Sequence, residues 1–327
     1  MKTIDGKEKF KKSMIDKYGI EWAQQSTDIK TKTIKNNFKK YTVKNPTNLI
    51  NYSNMNELIK FIKELNIDFD VTNNIISFKN CNIKIAYWEM KKDSSGSVET
   101  DEKISKQQYN LTISEEEKGN HILHIWETEW INLVKKEIWK SVIKHKLGLT
   151  ENKIYARKCK VVEITNKVAS EFCENNHLQG KATGGKCLGL MYQGDLVMVA
   201  IIAKPRYSKQ FNYELLRLCS KINTIVIGGA SKLLKDYHNL VSYANRRWSI
   251  GGVYKSSGFK HHSTSGICYW YFKLDDITKY NHRSKYQKHK LEKELEIFDE
   301  NKTEVQNMYV NNFRRIWDSG NLLFIKE

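Results

Sequence analysis

The chain has 327 residues, with 55 Lys and Arg against 37 Asp and Glu and a formal charge of +18 at pH 7. At roughly 150 residues per domain this suggests about two domains with real cores, and the positive field favours polyanions over small neutral metabolites. Only two prolines, no apolar run near the ~18 residues a spanning helix needs, and six scattered cysteines without a C-x-x-C exclude a proline-rich linker protein, a helical membrane protein and a disulfide or zinc framework. The start, MKTIDGKEKFKK, has no apolar stretch, so a cytoplasmic location is expected, that of a host cell if the Lys, Asn and Ile bias marks a phage gene.

Residues 1–50 carry twelve Lys and five acids, a net of +7. Lys17-Tyr18-Gly19-Ile20 recurs as Lys40-Tyr41-Thr42-Val43, each copy behind a basic helical stretch. Such an arm can lie along a phosphate backbone, or be a solvated segment. Residues 54–65 have helical spacing through Met55, Leu58, Ile59, Ile62 and Leu65, with Asn54 as N-cap. Strands are predicted at Asn74–Phe78, Ile83–Trp88 and His121–Trp126, and an amphipathic helix over 128–146. Leu147-Gly148-Leu149 ends that helix, which puts a domain boundary near 150.

The second half reads β-α-β-β-β-α-β-α-β. Its elements are strands at Lys158–Ile164, Cys187–Gln193, Leu196–Ala203, Tyr213–Cys219, Leu240–Ala244 and Ile267–Leu274, and helices at Asn166–Asn176, 229–239 and 251–257. Gly194-Asp195 marks a hairpin. Residues 279–327 read as a basic polar tail. The fold class is therefore α/β or α+β, with a basic arm (1–50), a first domain (51–150), a second domain (151–278) and the tail. Chemistry-bearing residues cluster late. Gly228-Gly229-Ala230-Ser231-Lys232 stands where a strand runs into a helix, a place where backbone N–H groups can meet a phosphate. His177 precedes a flexible loop and can take a proton, or be a satisfied structural histidine. Tyr243 and Asn245 leave a strand end. Arg206, Arg246 and Arg247 can hold phosphates, or form a solvated surface.

Gly228–Ser231 together with Tyr254 and Gly258-Phe259 in GGVYKSSGF resemble the GNAT acyltransferase superfamily. That resemblance implies a CoA pyrophosphate on Gly228–Lys232, acetyl-CoA or a related acyl-CoA as cofactor, and Tyr254 as general acid to the leaving thiolate. The Gln or Arg usual at the start of the turn is absent; Thr224 or Ile225 stands near there. Over about 165–262 the chain is similar to the phage Mom-like group of that superfamily. The shared stretches are ASEFCENNH (169–177), Leu188-Gly189-Leu190, Lys204-Pro205-Arg206, ELLRLC (214–219) and SYANRRW (242–248). This implies a domain that works on DNA, with catalytic residues among His177, Tyr243, Asn245 and Tyr254.

In the first half, His124–Trp130 (HIWETEW) resembles a strand-to-helix segment of the Vsr-like branch of restriction-type nucleases, whose homing-type members carry Lys-Tyr-Gly repeats upstream. That resemblance implies a Mg²⁺ site on carboxylates, for which Glu57, Glu89 and Glu127 are the candidates. Asn82 stands where the family has Asp, and the family's Gly and His after Glu89 are missing, so the centre reads as degenerate. Three functions follow: a DNA-associated acyltransferase acting on a nucleobase or amine, a homing-type Mg-dependent endonuclease, or a non-catalytic nucleic-acid-binding protein. Lys17 and Lys40 join the arginines as expected DNA contacts.

Overall fold

A computed structural model describes residues 49–90, 104–206 and 208–327. The basic arm, with Lys17 and Lys40, lies outside the described residues. The chain divides into two compact units, Met1–Asn66 and Ile67–Glu327. In the first, helix α1 (Leu49–Glu64) keeps Met55, Leu58, Phe61 and Ile62 from solvent. Asn54 lies inside this helix and does not cap it.

The second unit is mixed α/β. It begins with a four-stranded sheet of β1 (Phe69–Thr72), β2 (Ile75–Phe78), β3 (Ile83–Trp88) and, after α2 (Gln107–Glu117), β4 (His121–Trp126), in that order. β3 and β4 run parallel, and β4, although it stands at the edge of this sheet, is buried along its whole length, as its apolar HILHIW sequence suits. The predicted 128–146 helix is two helices, α3 (Glu127–Ile131) and α4 (Leu133–Lys146). The chain extends at Asn132, whose side chain accepts from Lys135 N–H and caps the second helix.

There follow β5 (Asn152–Tyr155), β6 (Lys160–Glu163), α5 (Asn166–Asn176), β7 (Lys186–Tyr192), β8 (Asp195–Ala203), β9 (Tyr213–Ser220), β10 (Thr224–Ile227), α6 (Gly229–Leu233), β11 (Leu240–Asn245), α7 (Gly252–Ser256) and β12 (Lys260–Thr264). The β7–β8 turn is centred on Gln193 and Gly194, both at positive φ, which suits the twist of a two-residue hairpin. α6 stops at Leu233, short of the predicted 239. The expected tail is structured. β13 (Tyr269–Lys273), β14 (Asp276–His282) and β15 (Phe313–Trp317) form a small sheet with α8 (Leu291–Glu294) and α9 (Glu304–Val310) between its strands. β16 (Asn321–Lys326) inserts between β11 and β12 of a seven-stranded sheet ordered β6-β7-β8-β9-β11-β16-β12. Every neighbouring pair in that sheet is antiparallel except β9 and β11.

The boundary expected near 150 falls inside the second unit. Trp126 of β4 packs edge-on against Trp270 and Tyr280 of the small sheet at 5.3 and 5.6 Å. Thr112 Oγ1 bonds Ser319 Oγ at 2.9 Å, and His124 N–H donates to Arg247 O at 2.8 Å. Buried polar contacts of this kind leave no exposed linker between the halves.

Candidate active site

The only parallel neighbours of the large sheet part company. The β9–β11 ladder has three rungs (Tyr213–Leu240, Glu214–Val241, Leu215–Ser242) and then stops, although β9 runs on to Ser220 and β11 to Asn245. The cause lies on the other side of β9. Ile201 and Ile202 of β8 face Arg217 and Leu215, so Leu216 has no partner there. An extra residue in one strand bends it and strengthens its twist. The bulge thus turns β9 away from β11 at the point where their pairing ends.

A cleft of about 850 Å³ occupies the gap. It is lined by Leu215–Ile222, Gly228–Ser231, Tyr243–Asn245, Gly252–Tyr254, His177–Gln179 and the inner side of α4. His177, Tyr243, Asn245, Tyr254 and Gly228–Ser231 therefore share one wall system. Among the described lining residues there is no Asp or Glu, while Lys146, Arg217 and Lys221 contribute cations.

Tyr254 holds the apex. Its hydroxyl accepts from Ser242 Oγ at 3.2 Å, and Ser242 is the last residue of β11 that pairs with β9. The ring stacks on Phe324 at 4.9 Å and 8° and meets Phe259 edge-on at 5.4 Å. Burial pushes the phenol pKa up, outweighing the Ser242 hydrogen bond and Arg217, so the hydroxyl keeps its proton at neutral pH.

His177 does not match the expected base. Burial, then the Arg217 guanidinium, hold its pKa down to about 3, so the ring is neutral. Its Nδ1 accepts from Gln179 N–H at 3.1 Å, which places the single ring proton on Nε2. A neutral ring in this tautomer has no free lone pair to offer and acts as a donor. Arg217 fixes the loop that follows: Nε donates to Gly180 O at 2.9 Å, and the terminal nitrogens reach Leu216 O at 2.7 Å, Lys181 O at 3.3 Å and Gln179 O at 3.4 Å. The sequence signal for this residue was an Arg inside the apolar run ELLRLC. Asn245, 5% exposed, also has a local task, its Oδ1 accepting from Arg247 N–H at 2.9 Å.

Several expected ligand contacts are used elsewhere. Lys232 Nζ donates to Cys159 O at 2.7 Å and Ala156 O at 3.0 Å, tying α6 to the short turn at 156–158 and away from any phosphate. Gly228 has φ +76° and caps α6; a Cβ on Gly229 would collide with the Met198 sulfur and with Val226. The two glycines thus serve backbone shape and the packing of α6 on β8. Arg246 and Arg247 are buried and paired with acids: Arg246 with Glu116 at 2.5 Å, Arg247 with Glu129 at 2.6 Å. Neither is a phosphate contact. Arg206 is exposed, and its N–H donates to Glu214 at 2.8 Å.

The metal candidates do not assemble. Glu57 is exposed on α1 in the first unit, and Glu89 is half-buried just after β3. Glu127 is fully buried, and its Oε2 accepts from Met90 N–H at 2.8 Å. Asn82 donates to Gly119 O. Among the described residues no group of three or more His, Cys, Asp or Glu is placed to hold a metal ion, so these side chains do not fit a Mg²⁺ centre. Nor is any described helix long and apolar enough to cross a membrane. Neither a protein-family model nor a curated protein matches the chain.

Proposed function

We propose that the chain is a DNA-associated acyltransferase of GNAT type that draws its acyl group from acetyl-CoA or a related thioester. The observation that carries this reading is the opening of β9 from β11 at the Leu216 bulge, with the Tyr254 hydroxyl at its apex. The strand order, with one parallel pair inside an otherwise antiparallel seven-stranded sheet, supports it. A cleft of about 850 Å³ is within the range for ligands of drug size and larger, and an acid-free lining with three cations suits a ligand that carries phosphates.

A thioester supplies an activated acyl carbonyl and a thiolate leaving group. The chain's own residues do the rest. The strand edges beyond Leu215 and Ser242 lack a neighbouring strand and can bond an extended amide-bearing arm. Tyr254 Oη holds a proton that can pass to the departing sulfur. No carboxylate lines the cleft and His177 acts as a donor, which leaves His145 of α4, kept neutral by burial and then by Lys146, as the lining imidazole that can take a proton from an ammonium. An exocyclic base amine is uncharged at pH 7 and needs no such step, whereas a lysine does. The charge of +18 supports association with DNA.

The test is to incubate the full chain with acetyl-CoA and either duplex DNA or a lysine-rich protein, and to weigh both acceptors. A mass gain on the DNA bases, lost in Tyr254→Phe while acetyl-CoA still binds, is the expected result. Gain on the protein alone removes the nucleobase assignment. Absence of acetyl-CoA binding removes the transferase and leaves a nucleic-acid-binding protein.

A further inference from the structure

Two thiols face each other in the wall of the cleft. Cys173 lies in the last turns of α5 and is fully buried; Cys219 lies on β9, is half-buried and lines the cleft. Their sulfurs are 3.9 Å apart, a hydrogen-bonding contact about 2 Å longer than a disulfide bond. The two residues are 46 positions apart, so the contact joins separate elements. Arg217, two residues before Cys219, sets its positive charge beside the pair. The third thiol of this cluster, Cys187, is engaged elsewhere, donating to Asn166 Oδ1 at 3.4 Å. The acyl-transfer reading uses none of these sulfurs.

We propose that Cys173 and Cys219 are a redox-active dithiol that reacts with low-molecular-weight disulfides entering the cleft, Cys219 being the thiol that meets them. Either sulfur can be the donor in the contact between them. The contact, with Arg217 and against burial, lowers the Cys173 pKa; it raises that of Cys219, as burial does too, against Arg217. Cys173 is therefore the sulfur that ionises first, and when the Cys219 proton passes to it across the contact, Cys219 becomes the thiolate that faces the cleft.

Cys219 S⁻ then attacks one sulfur of R–S–S–R. The S–S bond breaks and the first R–S⁻ leaves with the electron pair. Cys173, losing its proton, attacks the Cys219 sulfur, forms the 173–219 bond and expels the second R–S⁻. The two protons given up by the cysteines pass to the two released thiolates. The protein loses two electrons, and the disulfide becomes two thiols. The product clamps the end of α5 to β9 beside the His177–Lys181 loop.

Oxidised glutathione is the probe. The reduced full chain, folded, is incubated with it, alkylated and digested without reduction. The expected product is one cross-linked peptide pair joining Cys173 to Cys219, two hydrogens lighter than the reduced peptides, formed equally in Cys187→Ser. In Cys173→Ser, Cys219 is expected to stop at a stable glutathione adduct. Exposed Cys81 serves as the internal control for the reagent. Glutathione on Cys81 with no 173–219 cross-link overturns the proposal, as does an adduct that persists on Cys219 in the unsubstituted chain. If Cys173→Ser fails to fold, the peptide map of the unsubstituted chain decides alone. None of these readouts depends on acyl transfer, so the two readings fail separately.

Discussion

Arg247 and Glu129, 118 residues apart, form a two-point ion pair with both side chains 2% exposed. The guanidinium also lies over the Trp126 ring at 3.4 Å, while Glu129 accepts from Trp139 Nε1 and Tyr280 Oη. Removing one partner of such a pair leaves a buried charge uncompensated. Glu129→Gln is predicted to cost about 3–5 kcal/mol. Replacing both partners with Met is predicted to recover most of it. Denaturant titrations of the single and double variants check this.

His121 and His124 are buried and kept neutral, each with its pKa down to about 3. For His121 the cause is burial, then Lys146; for His124 it is burial, then Arg247. His124 is satisfied on both sides, since Trp88 donates to Nδ1 and the protonated Nε2 donates to Thr112. His121 has no partner on either ring nitrogen. The unfolded chain takes up these protons near pH 6.5, and the folded chain only near pH 3. Stability is therefore full above about pH 6.5 and falls as the pH drops; these two histidines together contribute about 3 kcal/mol per pH unit, and His177, held down alike, adds to the fall. His121→Phe removes one unpaired buried group and one proton. It is predicted to raise stability at pH 7 by about 1 kcal/mol and to make the acid slope shallower. Thermal melts from pH 8 to pH 4 test both statements.

Arg217 holds the 177–181 loop through three of its carbonyls. Arg217→Gln is predicted to free the loop and to speed tryptic cleavage after Lys181 about tenfold, since losing about 1–2 kcal/mol of local hydrogen bonding raises the open population by that order. Unchanged cleavage would show that the loop is held by other contacts.

The central sheet was legible because its strands are short apolar runs bounded by turn signals: CLGLMYQ, LVMVAIIA, then YELLRLC. The opening between β9 and β11 was not. It depends on a one-residue offset at Leu216, and an apolar residue in an apolar strand carries no mark of it. β16 read as the end of a polar tail because its neighbours, β11 and β12, lie far back in the chain. Arg246 and Arg247 looked like phosphate contacts for the same reason. Their acids, Glu116 and Glu129, come from the first half, and a dipeptide shows charge but not what faces it. Tyr254 stands out in its local pattern, and the structure sets its hydroxyl beside Ser242, whereas the ring proton of His177 is set by the backbone of Gln179, which spacing does not reveal.

The opening between β9 and β11 is where the proposed acetyl-CoA would lie. Amide hydrogen exchange of the full chain, with and without saturating acetyl-CoA, measures this directly. Protection concentrated in peptides covering Leu216–Ser220 and Tyr243–Asn245 is the predicted result. Unchanged exchange in both segments, whether or not protection develops elsewhere, would contradict it.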